Sequence, residues 1–371
     1  MKTYHFLPVF VLMLASYIGL HYYAARWLAR GLSLSPSAAL WLKWALLAAA
    51  FSSPFTMFLK RQFHAAWLEP LYAAGYAWMG IVFVAGFIFA CSDLAAAALR
   101  SPAWFSGAAQ TRLTLAALTA ILGWGVYGGQ RIPGLREVEV PVKGLPRELE
   151  GFRIAQISDM HMDSRWKLRQ LAGIVDRINA AGPDLVVVTG DLIDPGITCG
   201  GEMEALTARL KSRLGLYGCL GNHEYYYGLE AALGCYKAAG IRLLHNESAD
   251  LGPLRLIGLG DIHTEHLTRG DVLALLARHR DGKPAVLLSH QPVFLPEIAA
   301  AGDYIGLCGH THKGQIFPFH FFTWLFYRYF YGLYRINNSV FYVTSGSGTW
   351  GPPLRWLAPA EIPLLILKNA S

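Results

Sequence analysis

Residues 184–194 read DLVVVTGDLID, a run of β-branched residues that stops at Gly190 and hands over at once to Asp191. A short apolar run without alternation marks a strand buried on both faces, as in a largely parallel sheet covered by helices. FRIAQIS (152–158), GLYGCLG (215–221), LRLIGLG (254–260), PAVLLSH (284–290), YIGLCG (304–309) and VFYVTSG (340–346) have the same character. Between them, amphipathic stretches predict helices over 168–180, 201–212, 229–239 and 271–278. Strand–helix alternation over ~235 residues predicts a layered α/β domain with one core.

The chain upstream is of a different kind. Apolar stretches at 6–24, 38–59, 71–91 and 113–129 approach the ~20 residues that a spanning helix needs. Ser52-Ser53-Pro54 predicts a kink in the second. Charged residues make up 15% of the chain and hydrophobic residues 54%, with a mean hydropathy of +0.32, which excludes a disordered chain. Residues 1–135 hold nine Lys/Arg and two Asp/Glu and so carry the whole net charge of +7. Basic excess in the apolar third is the pattern of membrane loops, whereas a nucleic-acid binder would carry it on the folded domain. QRIPGLREVEVPVKGLPRELEG (130–151) marks the boundary, giving a four-span helical module at 1–135 and the α/β domain at 136–371. Basic residues divide evenly between the two sides of such a module and do not orient it. The five cysteines show no CxxC spacing and no disulfide framework, which is compatible with a reducing compartment.

What stands at the strand ends carries the chemistry. FRIAQIS leads to Asp159 and His161, DLVVVTG to Asp191, GLYGCLG to Asn222 and His223, PAVLLS to His290, and YIGLCG to His310 and His312. In open α/β sheets that carboxyl edge is where ligands bind. Carboxylates, imidazoles and one amide oxygen form a donor set suited to Mn, Fe or Zn, without the thiolates of a structural zinc site. Asp159, His161, Asp191, Asn222, His290, His310 and His312 are too many for one ion and fit two if a carboxylate bridges them. Two such cations can activate water and clamp a phosphoryl group. His223, beside Asn222, is left over as a general acid.

The series DMH (159–161), GDLID (190–194), GNHE (221–224), SHQP (289–292) and GHTH (309–312) resembles the calcineurin-like metallophosphoesterases over residues ~150–371. The resemblance implies a β-sandwich flanked by helices with two divalent ions at its strand ends. It implies Asp159, His161 and His312 on one ion, Asn222, His290 and His310 on the other, and Asp191 bridging. It further implies His223 as the acid and Asp194 as the group that orients it. Membrane-bound bacterial members, including those that hydrolyse UDP-2,3-diacylglucosamine, are the nearest in pattern, which implies an inner-membrane enzyme with a cytoplasmic catalytic domain. Many relatives have GHTHGGQ where this chain has Lys313, a residue free to meet a substrate phosphate or solvent. Asp163, Asp261, His263 and His266 lie near motif or strand ends and are candidates for supporting or surface roles.

FPFHFFTWLFYRYFYGLY (317–334) has eleven Phe, Trp or Tyr among eighteen residues. Trp and Tyr favour the membrane–water boundary, so the stretch reads as a membrane-facing insertion passing acyl chains toward the site. The substrate expected is a lipid-linked phosphate or pyrophosphate such as UDP-2,3-diacylglucosamine. The alternatives are a membrane-tethered phosphodiesterase or phosphatase for soluble substrates, and a non-catalytic membrane sensor.

Overall fold

A computed structural model describes residues 3–63, 67–100, 102–194 and 199–370. The chain divides into two compact units, one of 1–127 with 351–356 and one of 128–350 with 357–371.

The first unit is helical: α1 (Thr3–Gly31), α2 (Pro36–Ala49), α3 (Ser52–Gln62), α4 (Leu68–Ala98) and α5 (Gly107–Gln130). The second apolar stretch breaks at Ala50–Phe51, and Ser52 Oγ donates back to the Ala49 carbonyl at 2.7 Å where α3 begins. Two of these segments, 36–60 and 68–98, are long and apolar enough to cross a membrane. Several polar residues of α1 and α4 pair with one another. Asp93 on α4 accepts from Tyr23 (2.9 Å), Trp27 (3.1 Å) and Arg30 (2.6 Å) on α1. Trp41, Trp44, Phe55, Phe58 and Trp124 are exposed, an apolar outer surface of the kind lipid covers.

The second unit contains β1 (Gly134–Lys143), β2 (Arg153–Ile157), α6 (Arg165–Ala181), β3 (Leu185–Thr189), α7 (Glu202–Thr207), β4 (Leu216–Cys219), α8 (Asn222–Tyr227), α9 (Leu229–Ala238), β5 (Arg242–Leu243) and β6 (Glu247–Asp250). It continues with β7 (Arg255–Gly258), α10 (Arg269–Arg278), β8 (Ala285–Leu288), α11 (Leu295–Ala301), β9 (Tyr304–Cys308), α12 (Phe319–Phe326), β10 (Gly332–Ile336), β11 (Ser339–Val343) and β12 (Glu361–Ala370). Its strands form two six-stranded mixed sheets, ordered β1-β12-β2-β3-β4-β5 and β10-β11-β9-β8-β7-β6.

Side chains alternate between faces along a strand, and here both faces are buried. Leu185 and Val187 of β3 meet Leu256, Val286, Leu288 and Ile305 of the other sheet in an inner core. Val186 and Val188 turn outward onto Leu171, Ile174, Val175 and Ile178 of α6. Across the molecule, Ile257, Leu287 and Phe341 pack on Leu276, Leu295 and Ile298 of α10 and α11. The order helix, sheet, sheet, helix explains why the strand sequences are continuously apolar.

The segment expected to be a boundary linker holds β1 instead, paired along its length with β12 in parallel. The helix expected over 201–212 is shorter and closes at Thr207. The cysteines also differ from expectation: Cys199 and Cys235 are disulfide-bonded with their Cα atoms 5.3 Å apart, while Cys91, Cys219 and Cys308 are free. A single bridge between residues 36 apart has no spacing motif, because only the fold brings the loop after β3 against α9.

Candidate metal centre

Five strands deliver the expected side chains to one edge. Asp159 and His161 follow β2, Asp191 and Asp194 follow β3, Asn222 and His223 open α8 after β4, His290 follows β8, and His310 and His312 follow β9. Asp159, His161, Asp191, His310 and His312 all have left-handed backbone, with φ of 54°, 48°, 51°, 70° and 48°. Non-glycine residues avoid this region, and when they occupy it together it is a feature of functional sites. The loops hold one another in it. Asp159 N donates to the Gly190 carbonyl (3.1 Å), His161 N to Asp191 (3.0 Å) and Gly348 N to Asp159 (3.1 Å). Two glycines allow the approach: a Cβ on Gly221 would lie 2.2 Å from Asp191 Oδ1, and one on Gly309 would lie 2.0 Å from Ser158 Oγ.

Among the described residues the donor atoms gather in three groups, of which His161, Asp194 and His223 form one that shares His161 with its neighbour, and two others hold the expected ligands. Asp159, His161 and His312 form one, with Nε2 of His161 and His312 3.0 Å apart and Asp159 Oδ1 3.4 Å from His312 Nε2. Asp191, His290 and His310 form the other, with His290 Nε2 3.1 Å from Asp191 Oδ2 and 3.2 Å from His310 Nδ1. Asp191 Oδ2 also lies 3.7 Å from His161 Nε2, between the groups. Ligand bonds of ~2.1 Å at 90° to 109° put neighbouring donors about 3.0–3.4 Å apart, which is the spacing found. Asn222 Oδ1 is buried with no hydrogen-bond partner, a cost that a cation would remove. The seven residues therefore fit two divalent ions.

The imidazoles are oriented by their other nitrogens, as metal-binding histidines are. His290 Nδ1 donates to the Thr189 carbonyl (2.8 Å), His161 Nδ1 to Asp194 Oδ2 (3.2 Å), and His310 Nε2 meets Tyr327 Oη (2.8 Å). Asp194 also receives His223 Nδ1 on its other oxygen, so one carboxylate fixes two rings. Burial would raise Asp194, but His161 and His223 outweigh it and hold the carboxyl below its usual range. Burial would lower His223, but the Asp194 hydrogen bond and the Asp191 charge lift it to about 9. Burial, followed by the neighbouring His290, pushes His310 down to about 3.

Two side chains that the sequence reading passed over brace these loops. Glu224 is fully buried, and its carboxylate accepts from the backbone N–H of Asp191 (2.9 Å), Leu192 (2.8 Å), Ile193 (3.3 Å) and Gly221 (2.7 Å). Lys167 is also buried; it donates to the His161 and Thr349 carbonyls and pairs with Asp163 at 3.2 Å. Both left a trace in the sequence. Glu224 stands where a capping-box acid belongs, and Lys167 falls in phase with Leu171, Ile174 and Ile178 on the buried stripe of α6. Asp261 accepts from Gln291 Nε2 at 2.8 Å, while His263 and His266 are exposed. Lys313 Nζ stacks 4.5 Å from the Tyr331 ring centroid. Tyr226 and Trp350, both exposed, approach the His223 ring edge-on at 5.2 and 6.1 Å.

With this geometry in hand, the similarities are specific. The calcineurin-like phosphoesterase family matches residues 152–314, which take in all five strand ends. An uncharacterized metallophosphoesterase of Helicobacter pylori is 35% identical over 262 residues, 69% of this chain and 70% of its own length. A transmembrane protein with metallophosphoesterase domain from Danio rerio is 33% identical over 70% of this chain and 63% of its own. The uncharacterized metallophosphoesterase YkuE of Bacillus subtilis is 31% identical over 70% of this chain and 94% of its own.

Proposed function

Because this chain belongs to the calcineurin-like metallophosphoesterases, metal-dependent phosphohydrolases that use two divalent ions, we propose that its site hydrolyses a phosphate ester or anhydride carried on a lipid. Asp159, His161 and His312 would hold one ion and Asn222, His290 and His310 the other, with Asp191 between them. When bound, the two ions supply Lewis acidity that activates water and offsets charge on the phosphoryl oxygens. The chain's own residues do the rest. His223, lifted to about 9, keeps its proton at neutral pH. With Nδ1 committed to Asp194, its Nε2–H is the donor for the leaving oxygen. Tyr226 and Trp350 flank that ring.

The observation that carries the lipid reading is α12. Phe321, Phe322, Trp324, Leu325 and Phe326 are 63%, 51%, 60%, 71% and 78% exposed, on a helix that starts seven residues after His312. Folded domains seldom leave so contiguous an apolar patch in water. The helical unit is proposed to sit in the membrane as four spans, α1, the α2–α3 pair, α4 and α5. The Cys199–Cys235 bridge favours a compartment that does not reduce it. It weighs against the cytoplasmic placement expected above, and with it against a nucleotide-linked substrate. The substrate proposed is therefore the class, lipid phosphates or pyrophosphates, and UDP-2,3-diacylglucosamine is one arm of its test.

The test is hydrolysis by the detergent-purified chain with Mn²⁺, using UDP-2,3-diacylglucosamine, other lipid phosphates and bis-nitrophenyl phosphate, with Asp191→Ala as control. Turnover of a lipid phosphate well above the soluble ester supports the reading. Activity on the small ester alone would move the substrate into the soluble pool. Changing Phe321, Phe322 and Trp324 to Ser should raise KM for the lipid far more than for the small ester, and equal losses would sink the lipid assignment. His223→Ala should bind ions but lose turnover, most for poor leaving groups; full turnover of an unactivated ester would contradict the acid role.

A further inference from the structure

The residue directly after α12 is Tyr327, and its hydroxyl lies 2.8 Å from His310 Nε2. The same hydroxyl donates to Gln291 Oε1 at 3.5 Å, and Gln291 Nε2 donates to Asp261 at 2.8 Å. With an ion on His310 Nδ1 these bonds run in one direction: His310 Nε2–H donates to Tyr327 Oη, the Tyr327 proton goes to Gln291 Oε1, and Nδ1 carries no proton beside His290 and Asp191. That is the tautomer a cation requires. Tyr327 is itself half-buried and its ring meets that of His310 edge-on at 5.2 Å. The chain thus passes directly from an exposed aromatic helix to a hydroxyl that sets the form and orientation of a candidate ligand.

We propose that α12 seats in an anionic lipid surface and that Tyr327, as a positioning residue, carries that seating to His310 and so to the second cation site. The inference rests on the functional reading above and deepens it. An anionic bilayer is the occupant for two reasons. The exposed residues of α12 include four Phe, one Trp and one Leu, the side chains that enter the headgroup boundary. From Lys313 to Ile336 the chain also carries Lys313, Arg328 and Arg335 and no acidic residue, which complements an anionic leaflet. A helix held in the headgroups restrains the residue at its end, and ordering one side chain in advance tightens binding about 2- to 10-fold.

The full-length protein is compared in nanodiscs of phosphatidylglycerol, phosphatidylcholine and acyl-brominated phosphatidylglycerol. Brominated chains should quench a component of the tryptophan emission that Trp324→Phe removes; an identical quenched fraction in that variant would overturn the docking. Mn²⁺ binding, measured by calorimetry without substrate, should show two ions in the wild type, one of them tighter in the anionic discs. Tyr327→Phe keeps the ring and loses only the hydroxyl. It should weaken one ion of the two by about 10- to 100-fold and abolish the lipid dependence, while the ion-free protein still folds and melts within about 5 °C of wild type. Two ions at wild-type affinity in Tyr327→Phe would overturn the positioning role. A protein that binds both ions as expected yet hydrolyses no lipid phosphate would defeat the substrate reading alone.

Discussion

Replacing Glu224 by Gln changes one oxygen to an amide nitrogen, yet the structure makes it a severe substitution. The buried carboxylate accepts four backbone N–H groups, two on each oxygen: Asp191 and Gly221 on Oε2, Leu192 and Ile193 on Oε1. An amide supplies one oxygen, so one pair of donors loses its acceptor and faces an NH₂ group instead. Each buried donor left unmet costs about 1–3 kcal/mol, so the variant loses about 4 kcal/mol. For a domain of this size that is a fall in melting temperature of about 10 °C. The damage falls on the loops that place Asp191 and Asn222, so ion binding should weaken as well. Melting and calorimetry in detergent, with exposed Glu230→Gln as the control for charge, measure both. A Glu224→Gln protein melting within 2 °C of wild type and binding two ions would refute the bracing role and the count of bonds behind it.

Four further outcomes are expected. Asp191→Ala should bind fewer than two ions and lose hydrolysis, and a full complement of ions would remove Asp191 from between them. Lys167→Met strips donors from the His161 and Thr349 carbonyls and should cost about 2–4 kcal/mol in denaturant unfolding; a loss below 1 kcal/mol would show that Lys167 braces nothing. Glu265 hydrogen bonds raise His245, while burial of Glu265 is outweighed by His245, Tyr225 and Asn246, which lower it. Raised His245 stabilises fully below its unfolded pKa and loses this as pH rises through the folded one. Lowered Glu265 loses its share as pH falls through its folded pKa, so His245→Gln should be more costly at pH 6 than at pH 9, and equal costs would dissolve the pair. Alkylation of the denatured protein should modify three cysteines before reduction and five after, whereas five from the start would remove the bridge.

The strands that could be read from sequence are those buried on both faces, because LVVV at 185–188 has no other comfortable place. β1 was hidden by its position at the edge of its sheet. LREVEVPVK turns Val138, Val140 and Val142 to the core and Glu137 and Glu139 away from it, and it tolerates Pro141 because an edge strand can do without one donor. Its partner β12 lies more than 200 residues away, a pairing no local pattern announces. The aromatic run at 317–334 was visible as composition, but its division into a helix, an extended connection that begins at Tyr327 and the start of β10 depends on what each part packs against.

The site was legible for a reason that also explains its bracing. Side chains that bind or react must stand at the carboxyl edge, so the sequence announces them as polar residues directly after apolar runs. Aiming five of them inward forces left-handed backbone at Asp159, His161, Asp191, His310 and His312, at about 1–2 kcal/mol each. A loop will not hold that conformation alone, since each residue could relax by turning its side chain to water. Glu224, Lys167 and the pairing of the two loops offset the cost by making the relaxed conformations lose several hydrogen bonds at once. These braces act on backbone atoms, and backbone atoms are the same in every residue. Nothing in the ligand motifs could therefore name them, and a lysine on an apolar stripe and an acid at a helix start were the only marks they left.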